Sequence, residues 1–109
     1  MKSEQILDFL EFVEGQKNQS VRTLLDKILK KSRLMTKAEA GTIFIARKSR
    51  GKRWLEPASV QNDAIRVRKA DFVVPFGPET IAGFVAHNCR TLIIDDVYEI
   101  DKRRPYRFN

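Results

Sequence analysis

Two runs rich in β-branched and aromatic residues, GTIFIA at 41–46 and WLEPASVQ at 54–61, flank a short polar stretch at 47–53 that holds Ser49 and Gly51. Such runs favour extended backbone, and the stretch between them has turn composition. The pair predicts a β-hairpin. Pro57 cannot donate to a ladder, so the return strand is expected at a sheet edge or bulged there. Asn62 and Asp63 end it with turn chemistry.

Helical periodicity precedes the hairpin. Residues 3–14 (SEQILDFLEFVE) carry Ser3 as a candidate N-cap, Glu4 at the positive end and Gly15 at the stop. Ile6, Leu7, Leu10 and Val13 form one stripe, and Phe9 and Phe12 widen it onto a second face. One wetted side would need only the first stripe, so the extra aromatics point to a second helix or a second subunit. After a polar break at 16–19, Ser20 caps a helix over 21–36. Its Val21, Leu24, Leu25, Ile28, Leu29 and Met35 follow the i, i+3, i+4 spacing of a packing face. Asp26 and Lys30 stand in the favourable i, i+4 orientation.

Past the hairpin, a charged connector and an apolar run occupy 65–76. Gly77 and Pro78 open a helix over 78–88, where proline is tolerated in the first turn. Ile81, Phe84 and Val85 give it an apolar face, and Asn88-Cys89 closes it where a left-handed residue is needed. A short buried strand is expected at 91–94, ended by Asp95 and Asp96. Residues 98–109 are polar and aromatic without a clear period.

With 109 residues the chain is one domain at most. Its 42% apolar content suits a globular fold. The longest apolar run is far short of the roughly 20 residues of a membrane span. No basic segment followed by an apolar run marks a secretory leader. Cys89 is the single cysteine, which excludes an intrachain disulfide and a cysteine-based zinc cluster. A cytoplasmic protein is the economical reading. The net charge of +7 collects at 27–37, 47–53 and 102–107. Without a groove-reading motif, these charges are read as solvated surface rather than as a nucleic-acid site.

Three segments together resemble a GAF domain, the small regulatory sensor module of bacterial signalling proteins. They are TIAGFVA at 80–86, LIIDDVY at 92–98 and VQND at 60–63. The resemblance covers about 20–109, with 1–19 as a helix and linker that could dimerise. It implies an α+β fold: a GAF-like antiparallel sheet with the 20–36 helix on one face and the 78–88 helix over the other. It also implies a module truncated at about two thirds of its usual length, with the last hairpin and C-terminal helix expected after Asn109. The positions that match the family's pocket are Thr42, Gln61, Asn62, Ile81, Ala82 and Tyr98. Of these, Ile81 and Ala82 would offer backbone amides at a helix start. Gly83 would let a neighbour approach closely, so Gly83→Val is expected to block a ligand and leave the chain folded. The Asn-Lys-Phe-Asp-Glu signature of cyclic-nucleotide binders would lie beyond Asn109, so neither ligand nor cofactor is named.

The other reactive side chains read as structural. Asp95 and Asp96 are adjacent in extended chain and point to opposite faces, which suits a turn better than one metal ion. His87 and Cys89, two apart on a helix, do not face each other. No nucleophile, base and orienting group come together, and no enzyme activity is expected. The leading reading is a regulatory sensor that binds a small molecule or nucleotide and relays occupancy to a fused or partner output domain. A ligand-free dimerisation module, most simply a homodimer, is the alternative. A basic nucleic-acid adaptor is the third.

Overall fold

A computed structural model describes residues 3–14 and 20–108. It contains helices α1 (Ser3–Glu14) and α2 (Val21–Thr36), strands β1 (Ala40–Ser49), β2 (Lys52–Asn62) and β3 (Val74–Pro75), and helix α3 (Ile81–Asn88). Short 3-10 turns occur at Lys69–Phe72 and Val97–Glu99. The protein is α+β, with one antiparallel sheet in the order β1-β2-β3. No described helix is long and apolar enough to cross a membrane.

The chain divides into two compact units, Met1–Phe44 with Pro57–Asp71 and Ile45–Glu56 with Phe72–Asn109. In the first, α1 packs on α2, with the Lys31 ammonium 5.9 Å over the Phe12 ring. Ile6 is exposed and Phe9 and Phe12 are half-buried. The side chains of Leu7, Leu10 and Val13, and the break at 16–19, lie outside the described residues. Ser20 caps α2 by accepting from the Thr23 amide, and Lys37 closes it in the left-handed region at φ 57°. Leu29 is buried and Leu24, Leu25, Ile28 and Met35 are half-buried, but Val21 at the first turn is exposed. Gly41 lets β1 come close to α2, because a Cβ there would sit 2.8 Å from Leu29 Cδ1.

The hairpin closes through two residues rather than seven. Arg50 and Gly51 both have positive φ, 51° and 79°, the requirement of the tight I′ turn that matches strand twist. The strands therefore run on through the cations at 47–49 and 52–53. Pairing needs only main-chain groups, and polar side chains are at ease on a ribbon wetted on both faces. Along β2, Leu55, Pro57 and Ser59 are buried in alternation. β2 is the middle strand, where the sequence reads an edge or a bulge at Pro57. Proline is tolerated because β3 pairs Val74 with Leu55 and Pro75 with Trp54, and Pro57 lies past the end of that ladder.

In the second unit, the Gly77-Pro78 segment is a turn and α3 begins at Ile81, three residues later than expected. The cap decides the start: Thr80 is extended, and its Oγ1 accepts from the Gly83 amide at 3.0 Å. Cys89 ends α3 at φ 51°. Phe84 stacks edge-on against Tyr106, centroids 4.9 Å apart, and Tyr106 and Leu55 are the buried apolar side chains described here. The expected strand at 91–94 does not form. Ile93 is 89% exposed between half-buried Leu92 and Ile94. The segment has a strand's alternation, but the described sheet offers it no neighbour to pair with.

Candidate functional site

The six positions singled out by sequence fall into both units, three in each. In the first unit, Thr42 is half-buried on β1. Gln61, near the end of β2, has both ends of its amide engaged. Its Nε2 donates to the Asp26 carbonyl oxygen at 2.8 Å, and its Oε1 accepts from Arg33 Nη1 at 2.9 Å. Ser59, fully buried two residues earlier on the same face, donates to Asp26 Oδ1 at 2.5 Å. Asn62 Oδ1 accepts from the amides of Ala64 and Ile65 at 2.8 and 3.0 Å, which makes it the residue that turns the chain out of β2.

Arg33 is the centre of this network. Beyond Gln61 it donates to the Glu39 carbonyl at 2.9 Å and pairs with Asp63 at 2.5 Å. Sequence reading placed Arg33 in a solvated basic run and sent Asp26 to Lys30. The signal that finds their role is spacing: Asp26, Leu29 and Arg33 at i, i+3 and i+7 share the helix face that carries Leu25. A groove of about 360 Å³ opens beside this network, lined by Lys30, Arg33, Lys37, Glu39 and Asp63 among others.

In the second unit, Ile81 and Ala82 are half-buried in the first turn of α3. Tyr98 is 81% exposed and meets Phe108 edge-on at 5.3 Å. Gly83 is buried, and the space beside it is already filled. A Cβ would collide with the Gly77 carbonyl oxygen and come within 2.8 Å of that of Pro75. The close approach expected at Gly83 is therefore made by the chain's own backbone. Gly83→Val is a packing lesion, not a selective block.

The end of the chain is ordered by Arg107, which sequence reading left as aperiodic. Its amide donates to the Glu79 carbonyl at 2.9 Å, and its guanidinium donates to the carbonyls of Lys102, Arg104 and Tyr106 at 2.6 Å each. Asp101 takes the guanidinium and amide of Arg103, which hold its carboxyl below the ordinary aspartate range and raise the guanidinium in turn. A cleft of about 250 Å³ beside this segment is lined by Asp95, Glu99, Asp101, Arg104 and neighbouring isoleucines. Neither cleft nor groove has any of the six positions on its wall.

The reactive side chains occupy structural places. Asp96 Oδ1 accepts from the Tyr98 amide at 2.9 Å and caps the 3-10 turn. The His87 ring lies 6.0 Å from that of Phe76, and Cys89 is an exposed helix cap. Among the described residues no three His, Cys, Asp or Glu side chains are placed to hold a metal ion. No family model, curated protein or solved structure matches the chain.

Proposed function

We propose that the chain is a GAF-type regulatory module of a signalling protein, a small-molecule sensor that passes its state to an output domain through α2. The single observation behind this reading is the coupling of helix to strand by Asp26, Ser59, Gln61 and Arg33. The resemblance implies that Gln61 and Asn62 would lie beside a bound ligand. A ligand that takes over the Gln61 bonds now made with Arg33 and the Asp26 carbonyl would compete with helix packing for the same groups. That competition is a population shift limited by the ligand's differential affinity for the two packings. Thr42, in the same unit, completes the contacts proposed there.

A thermal-shift screen of nucleotides and small metabolites tests the reading, because a ligand that binds only the folded chain raises its melting temperature. The expected hit also changes hydrogen exchange along α2, and loses that effect in Gln61→Ala. A hit that leaves α2 exchange untouched would remove the relay.

The alternative, a ligand-free dimerisation module, draws on a different observation. β1 is a ten-residue edge strand, half-buried over residues 41–45. Unpaired main-chain groups on such an edge are a template for another chain. Self-association through β1 or α1 at low micromolar concentration, with no ligand hit, would favour it. A monodisperse monomer whose amides at 41–46 are all strongly protected would exclude the edge.

A further inference from the structure

The hairpin tip carries a feature that the sensor reading does not use. From Ala40 to Leu55 the chain has five cations, Arg47, Lys48, Arg50, Lys52 and Arg53, and no carboxylate. All eight residues at 46–53 are exposed. The sequence reads these charges as solvated surface in a hairpin turn. They stand instead on a two-stranded ribbon closed by the Arg50-Gly51 turn.

Two of the five cations brace the base of the ribbon. Arg47 pairs with Glu56 across the strands at 2.9 Å, and the Arg53 guanidinium stacks 3.8 Å over the Phe76 ring. Among the described residues no ion pair engages the other three. A two-residue turn sets Ser49 opposite Lys52 and Lys48 opposite Arg53. Paired residues share a face and neighbours alternate, so Lys48 and Lys52 project from opposite faces, with Arg50 at the apex.

We propose that this ribbon is a docking element for duplex DNA, inserted tip-first into the major groove. That groove is about 12 Å wide and admits a two-stranded ribbon. Lys48 and Lys52 would each meet one phosphate wall, and Arg50 would reach the groove floor. The tip favours a nucleic-acid partner over a protein because residues 46–53 hold no large apolar side chain to act as a desolvated anchor. Phosphate contacts need no such anchor. The two-sided placement favours a groove over a flat anionic membrane, which only one face of a ribbon can meet.

The test is fluorescence anisotropy of the 109-residue chain on a labelled B-form DNA duplex of about 20 base pairs. With the two phosphates that Lys48 and Lys52 meet neutralised, the log–log salt slope is about −1.8, or about 12-fold weaker binding from roughly 50 to 200 mM salt. The decisive variant is Lys48→Thr/Arg50→Asn/Lys52→Thr. Threonine suits strands and Asn-Gly suits the I′ turn, so the ribbon is retained while its charge is lost. It is expected to bind at least tenfold more weakly at low salt, with a nearly flat salt dependence. A control with the same charge change off the ribbon, Lys30→Gln/Lys37→Asn/Lys102→Gln, is expected to keep the parent affinity within about twofold. Equal losses in the two triples would reduce the effect to net charge and overturn the proposal. So would equal binding to an A-form RNA duplex, whose major groove is too narrow to enter. Stronger binding to vesicles of anionic lipid, or no binding to the duplex at low salt, would also overturn it.

Discussion

α2 and α3 are held to their surroundings by different chemistry. α2 is fastened by side chains: Asp26 and Arg33 reach Ser59 and Gln61 on β2, around one buried leucine, Leu29. α3 is fastened by backbone as well as by the Phe84–Tyr106 ring contact. Buried Gly83 lies against the Gly77 and Pro75 carbonyls, and the Glu79–Arg107 main-chain bond ties the segment before its cap to the end of the chain. A polar network can exchange partners at modest cost, whereas backbone contact at a glycine cannot yield without moving the chain.

The sharpest way to break this comparison is a matched pair of glycine substitutions. Gly83→Val drives a side chain into main-chain oxygens and is expected to cost about 3 kcal/mol, while Gly41→Val meets only Leu29 and Arg33 side-chain carbons and should cost about 1 kcal/mol. Urea denaturation midpoints measure both, and equal costs would erase the distinction.

Next in size is Asp26→Ala. It leaves the fully buried Ser59 hydroxyl without its charged acceptor, for an expected loss of about 2 kcal/mol. Asp26→Ala with Ser59→Ala should recover most of it, since removing both partners leaves no buried hydroxyl unpaired. A double variant as weak as the two singles combined would mean that the pair does not act as a unit.

The helix caps give a smaller contrast. Thr80→Ala removes the part-buried cap of α3 and is expected to cost about 1 kcal/mol. Ser20→Ala, at an exposed cap, should cost about 0.5 kcal/mol. Thermal unfolding of the two variants measures the difference.

The smallest effect is acidic. Arg103 holds the Asp101 carboxyl below its ordinary range, so the folded state binds that proton less readily than the unfolded chain. Its contribution is complete above about pH 4 and lost as the pH falls through the lowered folded-state value. Both groups are exposed, so solvent screens the pair. Arg103→Gln should leave the melting temperature at pH 7 almost unchanged and slightly flatten its decline below pH 4.

Much of the local structure was legible in the residues. Ser20 and the 3.6-residue period placed α2 at 21–36, and the β-branched runs placed both hairpin strands. The need for a left-handed residue was read correctly at Cys89, which takes it without being glycine. The candidate site was less legible. Gln61 and Asn62 look like binding residues in one dimension because nothing in the sequence shows that Asp26, Arg33 and the amides of Ala64 and Ile65 already occupy them. The buried Tyr106 was hidden in an aperiodic segment, because a side chain packed by one distant partner leaves no repeat.

Sequence alone determined what depends on near neighbours: helix periods and caps, strand composition, a turn around Gly51, the single cysteine and the excess of positive charge. These follow from backbone preferences and spacing within a few residues, where the chain itself supplies both partners. Tertiary structure decided which strand lies in the middle, why Pro57 is tolerated there, and that residues 91–94 remain unpaired. It also decided that Gly83 faces carbonyls and that the cations at 47–53 stand on a two-stranded ribbon. Each of these depends on a partner distant in sequence, or on how far a ladder extends before its partner strand ends.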